Sequence, residues 1–302
     1  MGGAVLRVAR ATDTLFPHAE LPAASMAGVT DVHVHCQPFR MLKPEVLEAM
    51  KRERGPQFHQ LLQLCDDPAV LLGILDGAGV ERACLINYVA PDVMGFLPEV
   101  NRWVLDYSRA DRKRLIPFGS IHPAYSADVG HDARALIAER IGGFKVHPPH
   151  QKIFPNDPRL APLYEAAEAA RVPVMIHSGT STFPAAKSRF GDPIHVDDIA
   201  VDHPELTILL AHGGRPLWCE TAFFLARRHR NLYIDISSIP PNRLLRYFPR
   251  LEEIQDKVLF GSDWPGPGVP SIQENLDGIE ELMLSKELRE KVFVTNARKV
   301  FP

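Results

Sequence analysis

The chain of 302 residues is 45% apolar and 24% charged, with a formal net charge of −3, the balance of an ordinary globular protein. With no long basic run and no apolar stretch of bilayer length, nucleic acid and membranes are not expected partners. Four cysteines without CxxC spacing and a first decapeptide without a secretory pattern read as a cytoplasmic protein with reduced thiols.

In chain order, residues 1–28 form a Pro- and Ala-rich lead-in, and 29–302 form a single expected domain. The first predicted strand, 29–35, carries "DVHVH". Residues i and i+2 of a strand share a face, so Asp31, His33 and His35 project together. The segment 36–68 reads as part of a cover over the fold's working end. Strands are then predicted at 82–87, 115–121, 142–146, 172–177, 206–212, 232–237 and 258–263. Helical stretches lie between them, with apolar residues at i, i+3, i+4 and i+7: Val100, Trp103, Val104 and Tyr107, then Leu160, Leu163, Tyr164 and Ala167. In "DGAGV" (76–80) and "RIGGF" (140–144) glycine is expected in the left-handed position where helix gives way to strand. Eight strand–helix units joined by parallel crossovers predict an α/β fold, a closed (β/α)8 TIM barrel. No GxGxxG follows the first strand, which counts against an open dinucleotide-binding sheet.

In such a barrel the carboxyl ends of the strands meet on one face, and that face carries the chemistry. His33, His35, Lys145, His177, His212 and Asp263 all lie at predicted strand ends after apolar residues. Alone, each reads as a satisfied core group or a solvated loop residue. Six at equivalent places are expected to converge on a site. Two imidazoles on one face of a buried strand are costly unless a hydrogen bond or a metal ion satisfies them.

Taken in order, "DVHVH", "IHSG", "AHGG" and "LFGSDWP" resemble the amidohydrolase superfamily of metal-dependent barrels. The likeness is to its amidohydrolase-related branch, which also contains aminocarboxymuconate-semialdehyde decarboxylase and related aromatic-acid decarboxylases. It runs from about Val29 to Phe301. It implies one divalent ion, usually Zn²⁺, held by His33, His35, His177 and Asp263, with His212 orienting or protonating water or substrate. Three imidazoles and a carboxylate suit Zn²⁺ with a position left open. Asp263 is expected to accept a proton from the activated water. In binuclear branches a lysine ending the fourth strand is carboxylated and bridges two metals. Lys145 stands there, but the branch is usually mononuclear, so the expectation is an ammonium pairing with a carboxylate of the site or substrate.

Arg215 and Trp264 directly follow site residues and are expected to contact substrate, Arg215 through a carboxylate and Trp264 as an apolar wall. His147 is expected to line the mouth or to bond within a loop. Asp31 reads as a carboxylate beneath the ligands, Asp235 as core, and Cys36 as facing away. His122, His150 and His195 read as solvated or loop histidines. The loop 182–193 completes the cover. Hydrolysis of an amide, ester or lactone in a small, carboxylate-bearing substrate is the main expectation. Non-oxidative decarboxylation of an aromatic or unsaturated acid is the alternative, since it uses the same ligands. A barrel that has lost catalysis is a third reading, opposed by the complete set of ligand-type residues. Association into a homo-oligomer is left open.

Overall fold

The structure, a computed structural model, describes residues 28–302. The expected lead-in lies, but for Gly28, outside the described residues. Eight strands pair in parallel in sequence order: β1 (Val29–Val34), β2 (Val80–Ile86), β3 (Leu115–Gly119), β4 (Gly143–Val146), β5 (Val174–His177), β6 (Ile208–Ala211), β7 (Leu232–Asp235) and β8 (Val258–Leu259). The seam between β8 and β1 closes through the backbone. Val32 N–H donates to Phe260 O at 3.0 Å, Asp263 N–H to His33 O at 2.8 Å, and His35 N–H to Trp264 O at 2.8 Å. The result is the (β/α)8 barrel that the alternation predicts. The regular ladder of β8 ends at Leu259, short of the expected 263, and Asp263 itself turns to φ 67, outside the extended region.

Register explains the apolar runs. Ile176, Leu210, Ile234 and Val258 are paired across β5–β8 and face outward into the layer shared with the helices. Met175 and Leu209, one residue earlier, face the interior with Cys84, Ile86, Phe118 and Leu259. A strand covered on both faces has no solvent side, so a polar residue survives only where it is satisfied.

Three helices follow β1: α1 (Pro44–Arg54), α2 (Gln57–Asp66) and α3 (Pro68–Gly77). α3 starts where Asp67 accepts from Ala69 N–H at 2.9 Å, with Pro68 in the first turn, both favourable at a helix start. Next come α4 (Val100–Tyr107), α5 (Val129–Ala138), the single turn α6 (Pro148–Gln151) and α7 (Ala161–Ala170). Most of the expected stripes are buried, Val100, Val104 and Tyr107 in α4 and Leu163, Tyr164 and Ala167 in α7, while Trp103 is only partly buried and Leu160 lies just before α7. Among the described residues, no helix is long and apolar enough to cross a membrane.

One glycine expectation is corrected. After α3, Gly79 takes the left-handed conformation (φ 67), but in "RIGGF" that residue is Arg140 (φ 65). Gly142 and Gly143 serve close packing instead. A Cβ on either would stand 2.3 Å from the Ile116 side chain or the Phe118 ring.

Candidate active site

Asp31 Oδ1 accepts from His33 N–H (3.0 Å) and from Ser262 N–H (2.9 Å), stapling β1 to the segment after β8. Asp235, at the end of β7, places an oxygen 2.6 Å from His33 Nδ1, and Ser237 donates to its carboxylate from both N–H and Oγ at 2.8 Å. Asp235 therefore orients an imidazole, where the sequence reading makes it plain core. Gly261 makes room: a Cβ there would lie 2.4 Å from Asp235 Oδ1 and 2.8 Å from His33 Cβ.

Burial, then the nearby Lys145, holds His33 well below the usual imidazole range, although Asp263 pulls the other way. The short contact to Asp235 is thus a neutral Nδ1–H donating to a carboxylate, not an ion pair. That tautomer leaves Nε2 as an acceptor, which Lys145 Nζ faces at 3.4 Å. His33 Nε2, His35 Nε2 and Asp263 Oδ1 form a triangle with edges of 3.1–3.3 Å. They are a group of donor atoms close enough to hold one metal ion. A cation with bonds of roughly 2.0–2.2 Å spans donors about 3.0–3.5 Å apart, so the spacing fits. A hydrogen on His35 Nε2 satisfies one edge, but His33 Nε2 and Asp263 Oδ1 remain acceptor against acceptor, a contact that a cation relieves. Burial raises the Asp263 carboxyl, but the hydrogen bond from His35, the adjoining imidazoles and the Arg215 guanidinium outweigh it, and the group is held below the ordinary range.

The other expected residues are placed around this triangle. Lys145 is fully buried, its Nζ 3.4 Å from His33 Nε2. Burial pushes its pKa down to about 7, against the pull of Asp235 and Asp263. It does not line the cavity, so the expected contact with substrate is replaced by a place beneath the donor triangle. His212 Nδ1–H donates to Ser237 O at 3.0 Å, which leaves Nε2 as a lone pair. His177 stands one ring further out, 4.7 Å from His212 between ring centres, and does not join the triangle. Its Nε2 is nevertheless buried without a hydrogen-bond partner among the described residues.

Above the triangle lies a cavity of about 500 Å³, bordered by His35, His177, His212 and Asp263. Arg215 enters it held by Ser238 O (2.8 Å), Ser238 Oγ (2.6 Å) and Thr180 O (3.4 Å), with no carboxylate partner among the described residues. Phe39, Met50, Met94 and Phe183 make an apolar wall. Segments 36–68 and 182–193 both contribute to this lining. Trp264 does not: it is buried in the outer core and borders a separate crevice with Leu61 and Ile74. The backbone turn at Asp263 sends it away from the mouth. His147 lines the cavity, and so do His150 and Tyr88, neither of which the sequence reading placed there. His150 follows a turn rather than a strand, so no periodicity pointed to it. His122 is buried elsewhere beside Tyr125, and His195 packs on Phe154.

The fold and this site define a (β/α)8 barrel with a group of donor atoms at the carboxyl ends of its strands that could hold a metal ion. A family model described as amidohydrolase matches residues 30–302, and the chain belongs to that family. No curated protein matches it. Among solved structures, an uncharacterized TIM-barrel protein from Bordetella bronchiseptica is 20% identical, with a TM-score of 0.72, over 90% of this chain and 98% of that one. A 2,6-dihydroxybenzoate decarboxylase bound to 2,6-dihydroxybenzoate is 19% identical, with a TM-score of 0.68, over 91% of this chain and 99% of that one. A dihydroxybenzoic acid decarboxylase from a Polaromonas species, with manganese and the inhibitor 2-nitroresorcinol, is 18% identical, with a TM-score of 0.68, over 91% and 97%.

Proposed function

We propose that the protein is a metal-dependent lyase that removes carbon dioxide, without oxidation, from an aromatic or unsaturated carboxylic acid. The observation that carries this reading is the meeting, in one largely apolar cavity, of the donor triangle with Arg215, a guanidinium with no carboxylate partner among the described residues. The names of the two decarboxylases with the same barrel support the same reaction class here. This reverses the preference for hydrolysis drawn from the sequence.

A divalent cation held by His33, His35 and Asp263 would supply a Lewis acid beside the substrate. His177 is proposed as the fourth ligand, since its buried Nε2 has no partner among the described residues. Two or three imidazoles and a carboxylate accept either Zn²⁺ or Mn²⁺. A single ion stands in the proposal, because Lys145 lies out of the cavity. Arg215 would hold the substrate carboxylate through paired N–H donors. The bond from the ring carbon to the carboxylate carbon breaks, its electron pair stays on the ring carbon, and carbon dioxide leaves. A proton must then reach that carbon; His212 Nε2, a lone pair oriented by the bond from Nδ1–H to Ser237 O, would take one from a water molecule, leaving hydroxide, and pass it to the carbon. Four free, buried cysteines accord with a cytoplasmic setting.

Hydrolysis remains the second reading, on one observation: Asp263 is held ionised and can accept a proton from water. Protein loaded with Mn²⁺ or Zn²⁺ and given aromatic acids, unsaturated acids, esters and lactones separates the two. Carbon dioxide from an acid is expected, with Arg215→Met raising KM at least tenfold. Acid release from an ester or lactone, with no carbon dioxide from any substrate, would overturn the proposal. Failure to bind one equivalent of either ion would favour a barrel without catalysis.

A further inference from the structure

The cavity is larger than the chemistry at its floor requires. It holds about 500 Å³, within the span of about 300–1,000 Å³ that encloses drug-sized ligands. A dry cavity of about 150 Å³ already takes benzene, so an acid of one ring would leave more than half of this one to water.

Strand order tells which side is left over. Arg215 follows β6, and Thr180 and Ser238, which hold it, follow β5 and β7. Phe39, Val46 and Met50 follow β1, and Met94 follows β2, four strands round the barrel from β6. A carboxylate on Arg215 leaves the rest of its molecule to run past the donor triangle toward these apolar side chains. On α1 the cavity is lined by Val46, Ala49, Met50 and Glu53, at i, i+3, i+4 and i+7, which is one face of the helix. Ala49 is exposed and Met50 half-buried, so that face is turned to open space and not to packed core.

The charged groups on the same side are already committed. Arg54 donates to the carbonyls of Pro265, Gly266 and Val269, and Glu53 Oε1 accepts from Gly268 N–H. A second carboxylate arriving there would meet Glu53 and, among the described residues, no uncommitted cation of the lining. An apolar group would instead displace water from an apolar wall, which is favourable in proportion to the area covered. The two methionines let that wall adapt to a ring or to an alkyl chain.

We propose that the substrate is a monocarboxylic acid with an apolar extension beyond one ring, either a second ring or an alkyl chain. Val46, Ala49, Met50 and Met94 are the specificity-determining residues that receive the extension. The carboxylate end of this statement rests on the proposed function; the apolar wall does not. A tenfold preference is about 1.4 kcal/mol, which at about 25 cal/mol per Å² asks for roughly 55 Å² of apolar burial. That is under half of the ~150–250 Å² that a buried aromatic side chain removes from water.

Calorimetric titration of the Mn²⁺-loaded protein with benzoate, 2-naphthoate, 4-butylbenzoate, biphenyl-4-carboxylate and biphenyl-4,4′-dicarboxylate tests this. At least one extended monoacid is expected to bind one per chain, in competition with benzoate and at least tenfold more tightly. The diacid is expected to lose the gain of its monoacid. Ala49→Trp fills the wall from an exposed helix position, and Met50→Gln makes it polar with a residue that suits a helix. In each, the ratio of extended-acid to benzoate affinity should fall at least fivefold, a ratio that a partly unfolded sample does not alter. Wild-type protein without the preference, a diacid that binds as tightly as its monoacid, or a ratio unchanged in both variants overturns the proposal. Carbon dioxide is read separately, in the panel that tests the lyase. A preference for extension with no carbon dioxide from any acid of that panel sinks only the lyase, and carbon dioxide without the preference sinks only the apolar wall.

Discussion

His212 and Asp263 sit on backbone that only glycine adopts freely, with φ 68 and 67. Such a conformation costs on the order of 1–3 kcal/mol per residue and persists only where its surroundings hold it. Here the holders are the bond from His212 Nδ1 to Ser237 O and that from Asp263 N–H to His33 O. Asp31, one layer down, yields a prediction from its charge. Burial raises its pKa to about 7, despite the bonds from Ser262 and His33. An unfolded aspartate titrates near ~3.9, so between about pH 4 and 7 the folded protein keeps a proton that the unfolded chain has released. A carboxyl whose folded pKa is raised in this way loses stability as pH climbs through that window, by ~4 kcal/mol at most. Asp31→Asn keeps an oxygen for the same two N–H donors and cannot ionise. In metal-free protein, the urea midpoint of the wild type should fall relative to the variant between pH 5 and pH 8. An equal gap at both pH values refutes the assignment.

At the scale of elements, the C-terminal turn of α1 grips the loop after β8. Arg54 donates to Val269 O (2.9 Å), Pro265 O (2.7 Å) and Gly266 O, while Glu53 Oε1 accepts from Gly268 N–H at 3.2 Å. The same loop begins at Asp263, so one guanidinium ties the cover to the residue that completes the donor triangle. Bonds from a charged donor are worth about 1.5–3 kcal/mol each, and part of that returns through water when they are lost. Arg54→Met should therefore lower stability by about 2–3 kcal/mol. Amide exchange should quicken at least tenfold in 265–270 and near the end of α1, and not in β5 or β6. Uniform exchange over the whole barrel would show a general loss of packing instead.

For the molecule as a whole, the donor triangle couples metal binding to folding, since no unfolded chain brings His33, His35 and Asp263 together. A ligand bound only by the folded state stabilises it by ~2.7 kcal/mol at a hundredfold excess over its Kd. Adding Mn²⁺ or Zn²⁺ to chelator-treated protein should raise the Tm by several degrees. In Asp263→Asn the rise should shrink to less than half. An equal rise in the variant would place the ion elsewhere.

The barrel itself was determined by local sequence. Parallel strands buried on both faces must be continuously apolar, and that signal recurs eight times with helical periods between. The strand-end positions of His33, His35, His177, His212 and Asp263 came with it, as polar residues closing apolar runs. Only the tertiary structure decided what each side chain meets. The i, i+2 rule lapses where the ladder ends, so Trp264 turns into the outer core while Asp263 turns into the site. The support of His33 by Asp235, and the hold of Arg54 on the β8 loop, join residues 202 and 211–215 positions apart. His150 reaches the cavity from a short turn that Gln151 pins through the carbonyls of Val89 and Ile121. No local pattern encodes such contacts, because they depend on where the closed barrel brings distant backbone together.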